Sequence, residues 1–201
     1  MIVTASLKQK TISGLIWSFI DSIAGQGILF IVGIILARLL SPKEFGLIGM
    51  LTIFIAISQS FIDSGFRQAL IRKQDCTQAD YSTVFYFNIV VGVFCYILLF
   101  ACANSIGNFF HEPILKQLIR VLGLALIINS FTIIQSTLLT KRIDFKLQAK
   151  ISVIASFVAG IISIYMAYTG WGVWSLVALT LLKYAINSLL LWLWNKWKPI
   201  L

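Results

Sequence analysis

Among the ionisable side chains inside long apolar stretches or at their ends, six stand out: Asp21, Arg38, Asp63, Arg67, Arg120 and Lys183. Moving such a charge to the centre of a bilayer costs about 3 kcal/mol on insertion scales. Each therefore needs water, a counter-charge or an anionic ligand. Lys183 stands at the centre of the last apolar stretch, with Thr180 and Asn187 on its own helical face, and snorkelling from there is hard. Its spacing fits a water-filled cavity, a buried pair (with Asp21 still open as the acid) or direct contact with a substrate. Gln59, Asp63 and Arg67 follow at one-turn steps on another stretch. At i,i+4, Asp63 and Arg67 are expected to pair, either at the mouth of a polar cavity or as a simple anchor at the membrane surface. Arg38 and Arg120 lie near the ends of their stretches, where snorkelling to headgroups also accounts for them. The chemistry such residues offer is anion binding in a hydrated groove. Covalent catalysis needs other groups. The one histidine, His111, sits between apolar stretches beside Glu112 and Pro113 and reads as a surface residue. No His-Glu-x-x-His helix, Gly-x-Ser-x-Gly elbow or Asp-rich metal motif occurs. No catalytic residue, no metal and no cofactor is expected, and the chain does not read as an enzyme.

The elements that position these residues are apolar helices. A bilayer core asks for about 20 apolar residues per helical span. The sequence supplies such runs at 15–40, 46–65, 83–104, 115–139, 147–168 and 173–193. With 59% of its residues hydrophobic and 11% charged, the chain excludes an ordinary soluble domain. The reading is an all-α integral-membrane protein with a cytoplasmic segment at 1–14, a six-helix lobe at 15–194 and a cytoplasmic tail at 195–201. The first run is too long for a cleaved signal peptide and is expected to stay as a helix.

Orientation follows from lysine and arginine. Lys8 and Lys10 precede the first run. Arg67, Arg72 and Lys73 fill the second gap, and Lys141, Arg142, Lys146 and Lys150 fill the fourth. Lys196 and Lys198 close the chain. Those eleven stand against three, Arg38, Lys43 and Lys116, in the alternate gaps. Cytoplasmic loops collect basic residues, so both termini are expected on the cytoplasmic side. The formal charge of +9 is thus a topology signal, and no nucleic-acid partner is expected. Short turns at Ser41–Glu44 and Gly170–Gly172 make consecutive helices antiparallel neighbours. Trp171 and Trp174 mark one interface, and Trp192, Trp194 and Trp197 mark the other. Cys95 and Cys102 read as packing residues, and Cys76 as a reduced thiol.

Small and polar residues form stripes. In the second run Gly49, Thr52, Ala56, Gln59, Ser60, Asp63 and Arg67 fall within about 100° of one another on a 3.6-residue helix. The first run carries Ser18, Ser22, Gly25, Gln26, Gly33 and Ala37. The fifth carries Ser152, Ser156, Ala159, Gly160, Ser163 and Ala167. Close helix packing accounts for the fifth. The second is different, because its stripe holds ionisable groups.

Several motifs carry a family resemblance. Leu36-Ala37-Arg38-Leu39-Leu40-Ser41-Pro42 with Glu44-Phe45-Gly46, then Asp63-Ser64-Gly65-Phe66 running into Ala69-Leu70-Ile71-Arg72 and Ser82-Thr83-Val84-Phe85, form one set. Arg120-Val121-Leu122 and Gly170-Trp171-Gly172-Val173-Trp174-Ser175-Leu176 continue it. Together they resemble the oligosaccharide-lipid flippases of the Wzx type, in the colanic-acid-exporter-like branch of the superfamily that includes the MATE exporters. The resemblance runs from about Leu15 to Pro199. It implies export of undecaprenyl-pyrophosphate-linked sugar units for surface polysaccharide synthesis, by alternating access, in the bacterial inner membrane. It also implies two six-helix lobes around a cationic cavity, lined here by Arg38, Arg67, Arg120 and Lys183. Its partners are then the lipid-linked oligosaccharide, membrane lipids and a second lobe, either a separate chain or a second copy. Family members usually have twelve or more spans, so six correspond to the N-terminal lobe. The alternative is an inactive truncated remnant, or a membrane scaffold without transport.

Overall fold

The protein's structure, a computed structural model, describes residues 19, 23–63, 65–73, 75–195 and 197–199. Asp21, Ser18, Ser22 and the basic residues at 8, 10 and 196 lie outside them. The described residues form helices and no strand: α1 (Ile23–Leu39), α2 (Pro42–Asp63), α3 (Phe66–Arg72), α4 (Gln78–Phe109), α5 (Ile114–Leu122), α6 (Leu124–Lys141), α7 (Phe145–Tyr168) and α8 (Trp174–Trp194). Five segments are long and apolar enough to cross a membrane: Pro42–Arg72, Gln78–Phe109, Ile114–Lys141, Phe145–Tyr168 and Trp174–Trp194. α1 is shorter, and the first eight residues of the expected first span precede it, outside its described length. The chain is a multi-pass helical membrane bundle.

Local chemistry starts and breaks these helices. Pro42 opens α2, where a missing N–H costs nothing, and the Ser41 N–H and hydroxyl both donate to Glu44 Oε2, at 2.7 and 2.9 Å. Thr77 and Asp80 close a capping box at the start of α4: the Asp80 N–H donates to Thr77 Oγ1 at 3.2 Å, and the Thr77 N–H to Asp80 Oδ2 at 2.8 Å. Asp144 caps α7 by accepting from the Leu147 N–H. One helix, α2, covers the second expected run up to Asp63, and a separate short helix, α3, follows it. Gly65 adopts φ +78°, a left-handed turn that separates α2 from α3. In the fourth, Gly123 divides α5 from α6 with helical backbone angles, and a Cβ there would meet the Tyr96 ring at 2.9 Å and the Ile119 carbonyl oxygen at 3.0 Å.

Packing relies on small residues, as bundles in lipid require, because hydrocarbon surroundings remove most of the hydrophobic drive between helices. The buried line of α4 runs through Phe85, Asn88, Gly92, Cys95, Leu99 and Ala103, and Gly92 lies directly against Ser130 of α6. α7 buries Ser156, Ala159, Gly160, Ser163 and Ala167. Gly160 admits Val32 of α1, whose Cγ2 lies 2.6 Å from where a Cβ would sit. The Ser163 hydroxyl donates to the Ser175 carbonyl at 2.7 Å and ties α7 to α8. The small-residue stripe of the fifth run is therefore a packing face.

The turns gather at two ends. At one end Lys43 and Glu112 form an ion pair at 2.6 Å, and Glu44 lies against Gly172. These contacts join the α1–α2, α4–α5 and α7–α8 turns. At the other end the Lys141 ammonium donates to the carbonyls of Leu70 and Lys73, at 3.3 and 2.6 Å, and closes the C-terminus of α3. Lys73 pairs with Asp80 at 2.7 Å, and that hydrogen bond holds the lysine above its ordinary pKa. The C-terminal segment reaches this same end. The Trp197 indole N–H donates to Gln78 Oε1 at 2.9 Å, Gln78 Nε2 donates to the Lys198 carbonyl at 2.6 Å, and Gln135 Nε2 donates to the Trp197 carbonyl at 3.2 Å. Trp197 is buried against Phe85 and Trp192. It is a structural seal under α4 and α6, whereas Trp171 and Trp194 are exposed as belt residues would be.

Candidate functional site: a polar cleft beside an uncovered helix face

The polar stripe of α2 faces outward. Gly49, Thr52, Ala56, Ser60 and Asp63 are exposed, while Leu47, Leu51, Ser58 and Ile62 on the opposite face are buried. Nothing lies within 4 Å of where a Cβ would stand on Gly46 or Gly49. The same openness holds at Gly33 of α1, and Gln26 and Ala37 beside it are exposed. Gly25 of the same α1 stripe is buried, whereas most of the α2 stripe is left uncovered by the described residues.

At the middle of that face a cleft of about 210 Å³ opens between α2, α5 and α8. α2 contributes Thr52, Ala56 and Gln59, α5 contributes Leu122, and α8 contributes Thr180 and Tyr184. Gln59 Nε2 donates to the Tyr184 hydroxyl at 3.1 Å. The hydroxyls of Thr52 and Thr180 donate to carbonyls one turn back, Ile48 at 2.8 Å and Leu176 at 3.2 Å. Their oxygens keep acceptor capacity, as does the Gln59 carbonyl, and the Tyr184 hydroxyl keeps its proton to donate. The cleft thus offers neutral donors and acceptors beside an aromatic ring. That chemistry suits a hydroxyl-rich ligand. It contains no nucleophile paired with a base, and among the described residues no group of three or more His, Cys, Asp or Glu is placed to hold a metal ion.

Six residues that the sequence marks for a substrate path, Arg38, Gln59, Asp63, Arg67, Arg120 and Lys183, separate into four settings. Gln59 lines the cleft. Lys183 is half-buried on α8, between Thr180 and Tyr184 in sequence, and so stands on the flank of the cleft wall. Arg38 and Asp63 are exposed at the ends of α1 and α2. Arg67 and Arg120 turn elsewhere. Arg67 donates from Nη2 to Ser136 Oγ of α6 at 3.3 Å, and no ion pair joins it to Asp63. The left-handed turn at Gly65 breaks the helical register on which that expected pairing depended. Arg120 stacks its guanidinium over the Phe100 ring of α4 at 4.6 Å. It sits two residues before Leu122, roughly 200° around the helix, and so away from the cleft. None of the four cations of the expected series lines the cleft wall. Sequence reasoning missed Tyr184. An aromatic residue in an apolar run carries no polar signal until its partner, Gln59, is known. Thr180, one turn before it, was the only pointer.

Over the described residues the protein is a helical membrane bundle with an outward polar face on α2 and a polar cleft beside it. Sequence comparison places it more narrowly: the profile of the polysaccharide biosynthesis protein family matches residues 35–201, and the chain belongs to that family. It is 26% identical over 186 residues to the lipopolysaccharide biosynthesis protein WzxC of Escherichia coli K12, a match covering 91% of this chain and 36% of that protein. It is likewise 26% identical over 177 residues to the succinoglycan biosynthesis transport protein ExoT of Rhizobium meliloti, covering 88% and 36%. The teichuronic acid biosynthesis protein TuaB of Bacillus subtilis is 27% identical over 151 residues, covering 75% and 31%. The chain thus spans about a third of the length of the curated relatives it matches. No solved structure matches it significantly.

Proposed function

We propose that this chain forms one lobe of an exporter that moves lipid-linked oligosaccharide, carried on undecaprenyl pyrophosphate, from the cytoplasmic to the outer leaflet by alternating access. The observation that carries this reading is the uncovered polar face of α2, with the Gln59–Tyr184 cleft at its middle, in a chain of the polysaccharide biosynthesis family. A sugar–pyrophosphate headgroup cannot enter hydrocarbon without losing its hydration, at a cost of many kcal/mol. A polar path across the membrane offsets that loss. Gln59 and Tyr184 would meet sugar hydroxyls. Lys183 would offset phosphate charge at mid-membrane, with Arg38 and Asp63 bordering the ends of the path. Arg67 and Arg120 hold helices in place in this state and are assigned no substrate contact. A second lobe, supplied by a longer chain, a separate chain or a second copy, would close the path from the other side. No catalytic step is assigned.

The test is deletion of the gene in its own bacterium. The expected result is loss of surface polysaccharide with lipid-linked oligosaccharide accumulating in the inner membrane. Unchanged polymer and no accumulation would favour an inactive remnant or a scaffold.

Orientation belongs to the same proposal. The end carrying Lys73, Lys141 and the C-terminal segment is assigned to the cytoplasm, and the end carrying the Lys43–Glu112 pair to the outside. Single cysteines introduced at Asn108 and Trp171 are expected to react with an impermeant thiol reagent added to intact cells. One at Lys146 is expected to react only after the membrane is opened. Labelling of Lys146→Cys from outside would reverse the assignment.

A further inference from the structure

The side of α2 opposite its polar stripe carries a second feature, separate from the polar cleft. Between α2 and α4 runs an apolar groove made of two contiguous hollows of about 590 and 480 Å³. They share Phe54, Leu98 and Leu99. Small side chains, Ser58 and Cys95, form the floor and are buried. Phenylalanines form the walls: Phe54 and Phe61 on α2, Phe87 and Phe94 on α4, each pair two turns apart and so on one face of its helix. From Phe87 to Phe109 the groove follows α4 for roughly 33 Å at the helical rise. That is the full thickness of a hydrocarbon core of about 30 Å.

Length chooses the occupant. A phospholipid acyl chain fills one leaflet, about 15 Å of that thickness. A groove that continues past the midplane to the far side is matched by a single chain long enough to cross both leaflets. The end of the groove at α3 is marked by the Phe66 and Phe87 rings, 4.9 Å apart. Phe66 also belongs to a smaller hollow beyond it, which contains Lys73, Asp80 and Thr83. An anionic headgroup at that end would meet the Lys73 ammonium, exposed at the groove mouth though paired with Asp80, and Arg72 beside it.

We propose that the α2–α4 groove holds the long polyprenyl tail of a phosphate-bearing lipid, with its headgroup entering from the α3 end. The identity of that lipid with the exported one rests on the proposed function. The groove's length and lining do not. The tail would then stay on the bilayer side of α2 while the headgroup travels on the opposite, polar face of the same helix. One helix would separate the two halves of the lipid.

The experiment uses the purified chain in lipid nanodiscs with two photoreactive probes: undecaprenyl phosphate carrying a diazirine near the tail end, and phosphatidylglycerol carrying one on an acyl chain. The undecaprenyl probe is expected to label the α4 peptide around Phe94 and Leu98 saturably. A tenfold excess of unlabelled undecaprenyl phosphate should lower that labelling at least fivefold, and the same excess of phosphatidylglycerol should leave it unchanged. Leu98→Trp, which fills the groove without adding charge, should lower it at least fivefold at unchanged helix content. Ile57→Phe on the facing wall serves as the second variant. Labelling that never saturates, or equal labelling by phosphatidylglycerol, would make the groove an ordinary bilayer contact and overturn the proposal. Binding is read here without transport. Saturable labelling in a protein whose deletion leaves surface polymer intact would remove the exporter reading and leave the groove standing.

Discussion

Gly92→Leu is expected to prevent stable accumulation of the protein in the membrane. At Gly92 the backbones of α4 and α6 approach so closely that a Cβ would fall on the Ser130 hydroxyl, with the Leu126 carbonyl oxygen 3.4 Å away. Ser130 is fully buried and donates to that same carbonyl at 2.9 Å, so it has little room to withdraw. Overpacking an ordinary core costs about 1–3 kcal/mol. A whole leucine side chain at a helix–helix contact of this kind is expected at or above the top of that range. Gly92→Ala should lower thermal stability measurably, and adding Ser130→Gly should recover most of the loss, because the atom in the way is then gone. Detergent-solubilised protein followed by size-exclusion chromatography against temperature reads both. A Gly92→Leu protein that accumulates and melts like the parent would show that α4 and α6 are not held in this register.

Lys183→Leu is expected to lower export of surface polysaccharide at least tenfold at unchanged protein level, and Lys183→Arg to retain most of it. The measurement is surface polymer per cell from a strain carrying each variant in its chromosomal gene. The lysine is half-buried on α8 between two residues of the cleft, Thr180 and Tyr184. A cation at such depth costs about 3 kcal/mol relative to an apolar residue on insertion scales. Leucine removes that cost, so a loss of export in this variant reports a need for the charge rather than a failure to insert. Arginine keeps the charge with a different shape, and a hydrated anion path depends more on the first than on the second. Full export by Lys183→Leu would place the lysine off the path.

The fold was legible in the sequence because hydrocarbon tolerates few backbone solutions. Runs long and apolar enough to span the membrane must be helices, and the structure has five helical segments of that kind with the shorter α1 before them. The small-residue stripe at Ser156, Ala159, Gly160 and Ser163 was legible for a related reason, since close approach in lipid needs small side chains. The stripe of α2 could be singled out from its polar content, because ionisable groups such as Asp63 have no use in apolar helix packing. What escaped was set by local backbone geometry and by distant partners. Gly65 reads only as the end of the second run, yet its positive φ breaks the helix there and sends Arg67 to Ser136 instead of Asp63. Trp197 reads as an interfacial tryptophan, yet Gln78 and Gln135, on helices far away in sequence, draw it under the bundle. The cleft itself depends on Gln59 meeting Tyr184, residues 125 positions apart. No periodicity within either helix records that meeting.

The central claim is that the outward face of α2 and the cleft beside it are wet while the α2–α4 side meets lipid. Solvent access to single cysteines decides it. With Cys76, Cys95 and Cys102 replaced by serine or alanine, Thr52→Cys and Thr180→Cys in the cleft and Phe94→Cys on the opposite side would each be exposed to a hydrophilic, charged thiol reagent in membranes open on both sides. The account predicts rapid modification at Thr52→Cys and Thr180→Cys, and at least tenfold slower modification at Phe94→Cys. Cleft cysteines as inert as Phe94→Cys would mean that the polar face is buried in lipid, and no headgroup path could run along it.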